Sequence, residues 1–152
     1  MNTARLPKTV AAFGMAGIIP QLICLGVAMA WPAGRWFALA AGCCYASMIL
    51  SFLGGLWWMA ALVETRRHPG SYLVAVLPSL VGWGAMLPWC FGWLWPGPSL
   101  LLLGFCLLAS PWVDRAQPWA DRLPAGWLRL RVMMASGLAL STLALAVFAP
   151  LS

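Results

Sequence analysis

Apolar residues fill five long stretches of this chain, at about 9–30, 36–63, 72–92, 98–113 and 132–150. Short clusters of charge, proline and tryptophan separate them. A helix needs roughly 20 apolar residues to cross a hydrocarbon core, so each stretch predicts a membrane span. The second is long enough to require tilt. The fourth is short; Pro98 suits its first turn, and a start nearer Trp95 would lengthen it. The predicted fold is all-α, a polytopic five-helix bundle forming one domain over residues 1–152, with an interfacial loop at 114–131.

The polar positions between the stretches predict an orientation. With five spans, the N-terminus and the second and fourth loops share a side. That side carries Arg5, Lys8, Arg66, Arg67, Arg115, Arg122, Arg129 and Arg131, whereas the other carries Arg35. Lys and Arg collect in cytoplasmic loops, which predicts a cytoplasmic N-terminus and an outer C-terminus. The expected location is a bacterial cytoplasmic (cell inner) membrane, crossed several times. "AMA" at 28–30 resembles a signal-peptide cleavage site, but the run before it is long for such a segment and Gln21 interrupts it. The first stretch is therefore read as a retained span.

Composition supports the lipid reading. The chain is 63% hydrophobic and 8% charged, against roughly 25% charged in soluble domains. Its net charge of +6 would suggest nucleic acid in a soluble protein; here it points to topology and anionic lipid headgroups. Arg66, Arg67, Arg115, Arg122, Arg129 and Arg131 are the candidate headgroup or partner surface. Trp31, Trp36, Trp89, Trp93 and Trp95 predict an outer aromatic belt, and Trp112, Trp119 and Trp127 an inner one. In "DRAQPWADRLPAGWLRLR", Pro118 and Pro124 forbid one continuous helix.

Helix faces carry the next layer. Ala40, Cys44, Ser47, Ser51, Gly54 and Trp58 form one stripe of the second helix, with Gly55 beside it and Trp57 pointing elsewhere. Gly14, Gly17, Gln21 and Cys24 form a similar stripe on the first. Small residues let backbones approach closely in lipid, so Gly14, Gly17, Gly54 and Gly55 are predicted helix-packing positions. Gln21 follows Pro20, which cannot donate to the carbonyl of Ala16. Ser47, Ser51 and Ser79 lie at similar depth, with Trp83 one turn beyond Ser79. Interhelical hydrogen bonds of about 0.6 kcal/mol each would account for these polar groups. They would also suit a cavity for an amphipathic ligand, lined by Gln21, Ser47, Ser51, Ser79 and Trp83, with Trp58 closing its floor.

Candidate chemistry is sparse. No ionisable Asp, Glu, Lys, Arg or His falls inside the predicted spans, which argues against a proton-coupled pump or voltage sensor. All five cysteines lie in apolar stretches, where they read as small fillers rather than disulfides or metal ligands. No phosphate loop, zinc helix or nucleophile elbow is present. No catalytic residue, metal or cofactor is assigned, and the expectation is a protein that is not an enzyme. Three readings follow: a carrier or sensor for a small lipophilic ligand; an accessory subunit or assembly factor that packs on other membrane subunits; and, third, an enzyme at the inner face built on Glu64, His68, Asp114 and Asp121.

"FGMAGIIP" at 13–20, "YASMILSFLGGLWW" at 45–58, "PSLVGW" at 78–83 and "WLRLR" at 127–131 resemble the motifs of the DUF3429 / transmembrane protein 69 family. The resemblance spans all but the fourth helix and the two tails. Met59 stands where that family has a further glycine, and Leu128 where it has a tyrosine. The resemblance implies a multi-pass protein of bacterial or mitochondrial type with no established activity. It also implies framework or site roles for Gly54, Gly55, Trp58, Pro78, Trp83 and Arg131. In size and helix number the chain is similar to the TspO translocator proteins, whose five helices surround a porphyrin or sterol-type pocket. That likeness is of fold alone, and the TspO motifs are absent.

Overall fold

The computed structural model describes residues 6–64, 69–120, 124 and 126–149. Among them, all regular structure is helical: α1 (Lys8–Ala16), α2 (Ile19–Ala30), a 3-10 turn at Pro32–Gly34, α3 (Arg35–Val63), α4 (Pro69–Gly84), α5 (Leu87–Cys90), α6 (Gly97–Ala116) and α7 (Trp127–Ala146). They make five stretches long and apolar enough to cross a membrane: Lys8–Ala30, Pro32–Val63, Pro69–Cys90, Gly97–Ala116 and Trp127–Ala146. Helices answer the demand of such a sequence, because a backbone in hydrocarbon must satisfy its N–H and C=O groups internally.

Two of the boundaries that differ from the sequence expectation bear on the site. The fourth span continues past 113 to Ala116, and the fifth starts at Trp127 rather than 132. Asp114, Arg129 and Arg131 therefore stand on helices and not in a loop. Charges that end an apolar run need not end a helix when they can neutralise one another.

Prolines set the breaks. Pro20 occupies the first turn of α2, where its missing N–H is tolerated. The helix breaks just before it, and the Tyr45 hydroxyl donates to the carbonyl of Gly17 at the break. Pro88 plays the same part in α5. That short helix ends at Cys90, and the turn after it reaches Gly92, whose φ of +68° favours glycine.

Helix α3 lies at the centre, packed on α2, α4, α6 and α7. Its approach to α4 depends on two glycines. A Cβ on Gly54 would fall 2.5 Å from the carbonyl oxygen of Ala75, and one on Gly82 would fall 2.7 Å from Ser47 Oγ. Leu39, Leu100, Leu103, Leu107 and Leu145 fill the interior. Large apolar side chains such as Phe37, Met48, Leu73, Phe105 and Val147 are exposed on the outside. In water such a surface would aggregate; against lipid tails it carries no such penalty. At the end where α2 meets α3, Arg35 Nε donates to the Ala28 carbonyl at 3.1 Å. Nearby, Trp95 is buried rather than part of an outer belt, since its Nε1 donates to the Ala85 carbonyl at 3.1 Å and Trp89 stacks on it.

Candidate functional site

The polar centre of the bundle starts from a proline. Pro111 lies inside α6 and has no N–H to offer the carbonyl of Leu107. The hydroxyl of Ser110 donates to that carbonyl instead, at 2.8 Å. This leaves the Ser110 oxygen as an acceptor, and Arg131 Nη2 on α7 donates to it at 3.4 Å. The same guanidinium donates from Nε to Asp114 Oδ2 at 2.7 Å. From α3, Trp57 Nε1 donates to Asp114 Oδ1 at 2.6 Å. Three helices are thus tied by one carboxylate, and Trp57, Asp114 and Arg131 are 5%, 5% and 4% exposed. Trp119, from the segment after α6, is buried beside Trp57, Ala61 and Ala75.

Two cavities flank this network. The larger, about 340 Å³, lies between α1, α3, α6 and α7. Gly14, Ile18, Ile49, Leu53, Leu107, Met134 and Leu138 give it apolar walls, and Ser110, Trp127 and Arg131 supply its polar end. Its lining includes Phe13 and Phe52, both well exposed, which places its mouth on the apolar outer face of the bundle. The smaller, about 160 Å³, lies on the other side of the network, against Trp57, Asp114, Trp119, Trp127 and Arg131. Leu53, Leu56, Trp127 and Arg131 line both.

This cavity is not the one predicted from the polar residues of the sequence. Gln21 is fully buried, but its amide packs against Gly42 and has no hydrogen-bond partner among the described residues. Ser47 and Ser51 face Gly82. Ser79 and Trp83 are exposed on the outside of α4, because Pro78 takes the inward position. None of these five lines either cavity. Trp58 and Trp57 exchange roles: Trp58 is 41% exposed, edge-on to Tyr72, while Trp57 is the inward ring. Reading hydroxyls by depth alone ignored the rotation of each helix about its axis.

The glycines divide similarly. Gly14 and Gly17 line the larger cavity, and Gly14 lies tight against Met134. Gly54 packs on α4, but a Cβ on Gly55 would point into open space, with none of the described residues within 4 Å. Of the candidate surface arginines, Arg115 and Arg129 are exposed, whereas Arg131 is buried in its ion pair and is no headgroup contact. Arg66, Arg67 and Arg122 lie outside the described residues, as do His68 and Asp121. Among the described residues, no group of three His, Cys, Asp or Glu side chains is placed to hold a metal ion.

The sequence reading points Trp57 away from the site, leaves Ser110 out, and gives Asp114 only as a candidate for chemistry at the inner face. A signal was present: opposite charges, Asp114 and Arg131, flank the turn between two adjacent spans. Ionisable groups at membrane depth face the bundle and pair with one another.

The model of the family described as "Protein of unknown function (DUF3429)" matches residues 6–147, nearly the whole chain. The chain belongs to the DUF3429 family. No curated protein and no solved structure matches it. For this DUF3429 protein the geometry of the site is therefore the ground for any functional reading.

Proposed function

We propose that this DUF3429 protein is a multi-pass inner-membrane protein that holds a small lipophilic molecule in the cavity between α1, α3, α6 and α7. The observation that carries the reading is the cavity's construction: apolar walls, a mouth on the lipid-facing side, and one buried polar end at Arg131 and Ser110. Its volume falls within the roughly 300–1,000 Å³ of small-molecule sites. The one hydroxyl in its lining, on Ser110, donates to the Leu107 carbonyl, and no His, Asp, Glu, Lys or Cys stands with it among the described lining residues, which favours carriage or sensing over catalysis. Gly54 is taken up by α4 within the chain, so the small-residue stripe lends no support to an outside partner helix at that position.

The same reading places the N-terminus, Arg115 and Arg129 on the cytoplasmic side, where exposed arginines meet anionic lipid headgroups. The C-terminus then lies outside. The test is native mass spectrometry of the protein released from mild detergent, with Ala135→Leu as the comparison, since Ala135 lines the cavity and is nearly buried. Wild type is expected to carry a small apolar adduct that Ala135→Leu lacks. Identical spectra for the two proteins would overturn the reading.

A further inference from the structure

The polar end of the larger cavity has an unusual balance of donors and charge. Arg131 is almost fully buried, yet it spends Nε on Asp114 and one Nη2 proton on the long contact to Ser110. The rest of its five N–H donors have no partner among the described residues. The hydroxyl proton of Ser110 is committed to the Leu107 carbonyl. The third polar residue of the lining, Trp127, carries only an N–H donor in its side chain. So this end of the cavity is rich in donors, and its side chains keep a single free acceptor, the second lone pair of the Ser110 oxygen.

Charge narrows the choice. Asp114 already neutralises Arg131 at 2.7 Å. A carboxylate or phosphate ligand would set a second negative charge beside Asp114 in a water-poor site, where an uncompensated charge is costly. A pure hydrocarbon would leave buried guanidinium N–H groups unpaired, which is also costly. A hydroxyl would bring a proton for which only the second lone pair of Ser110 is left, and it would accept from Arg131 less fully than a carbonyl.

Resting on the cavity reading above, we propose that the ligand reaches Arg131 through an uncharged carbonyl oxygen: a ketone, quinone or ester group on an otherwise apolar molecule. Such a group accepts without donating and adds no charge. The ester carbonyl of a bilayer lipid and the carbonyl of a free lipophilic molecule share this chemistry.

The experiment uses wild-type protein in nanodiscs and 2-dodecanone labelled with carbon-13 at its carbonyl. Infrared spectroscopy should resolve a bound carbonyl band below that of ketone dissolved in empty nanodiscs. Unlabelled 2-dodecanone should displace it about fivefold more effectively than dodecane or ionised dodecanoate, the ratio for one net hydrogen bond. The band should vanish in Ala135→Leu, and in Asp114→Asn/Arg131→Gln, which removes both charges together. The displacement series needs no variant, so a double variant that fails to fold leaves the decision intact. A second preparation carries carbon-13 in the phospholipid ester carbonyls. A shifted ester band without ketone assigns the site to bilayer lipid, and an unshifted one assigns it to a free carbonyl compound; both sustain the carbonyl. Displacement by dodecane or dodecanoate equal to that by the ketone overturns the carbonyl assignment, with the cavity reading standing if Ala135→Leu still abolishes binding. If no probe gives a signal that Ala135→Leu removes, the cavity reading itself fails.

Discussion

Two pairs of identical neighbours show how much one position of helix rotation decides. Gly54 and Gly55 adjoin, but only Gly54 meets the α4 backbone, while Gly55 looks into open space. Gly54→Ala should lower stability by about 1–3 kcal/mol, the cost of overpacking a contact that cannot relax. Gly55→Ala should leave it unchanged or raise it by up to about 1 kcal/mol through helix propensity. Thermal unfolding in detergent compares the two. In the same way Trp57→Phe removes a hydrogen bond to a buried carboxylate, worth about 1.5–3 kcal/mol. Trp58→Phe, on the exposed ring, should cost well under 1 kcal/mol. Residue types and spacing make the small stripe legible in the sequence. They leave a helix free to rotate by one position, and that freedom is why the spacing points to Trp58 where the fold turns Trp57 inward.

At the scale of elements, the bundle is fastened where α3, α6 and α7 share Asp114. A buried ion pair is weak ground for stability in itself, because desolvation offsets attraction. Removing one partner is a different matter. Asp114→Asn or Arg131→Gln alone should cost about 3–5 kcal/mol by stranding the other charge. The double substitution should recover most of that loss, and a double-mutant cycle on chemical unfolding checks it. The five spans were legible because a lipid-embedded backbone leaves the sequence few alternatives to long apolar helices. The ends of α6 and α7 were not. The charges there read as loop when each is taken alone, and as helix only when Asp114 and Arg131 are known to meet. Pro111 likewise gave no hint that Ser110 would turn its oxygen toward another helix.

For the whole molecule, the described basic residues gather at the end that holds the polar network. Lys8, Arg115 and Arg129 are exposed there, and Arg35 lies at the opposite end against Ala28. A reporter enzyme that folds only outside the cytoplasm should be active when fused after residue 149 and inactive when fused after residue 120. The reverse pattern would invert the assigned topology. Under the proposed topology the cavity opens to the cytoplasmic half of the bilayer. Its position escaped the sequence because its walls are leucine, isoleucine, glycine and methionine, residues that line a hole and fill a core equally well. The most direct measurement of the central claim is photocrosslinking with a decane-length diazirine in native membranes, followed by peptide mapping. Labels are predicted on Leu53, Met134 and Leu138, inside the cavity, with their loss in Ala135→Leu; labelling confined to outward side chains such as Phe37, Met48 and Phe105 would contradict the account.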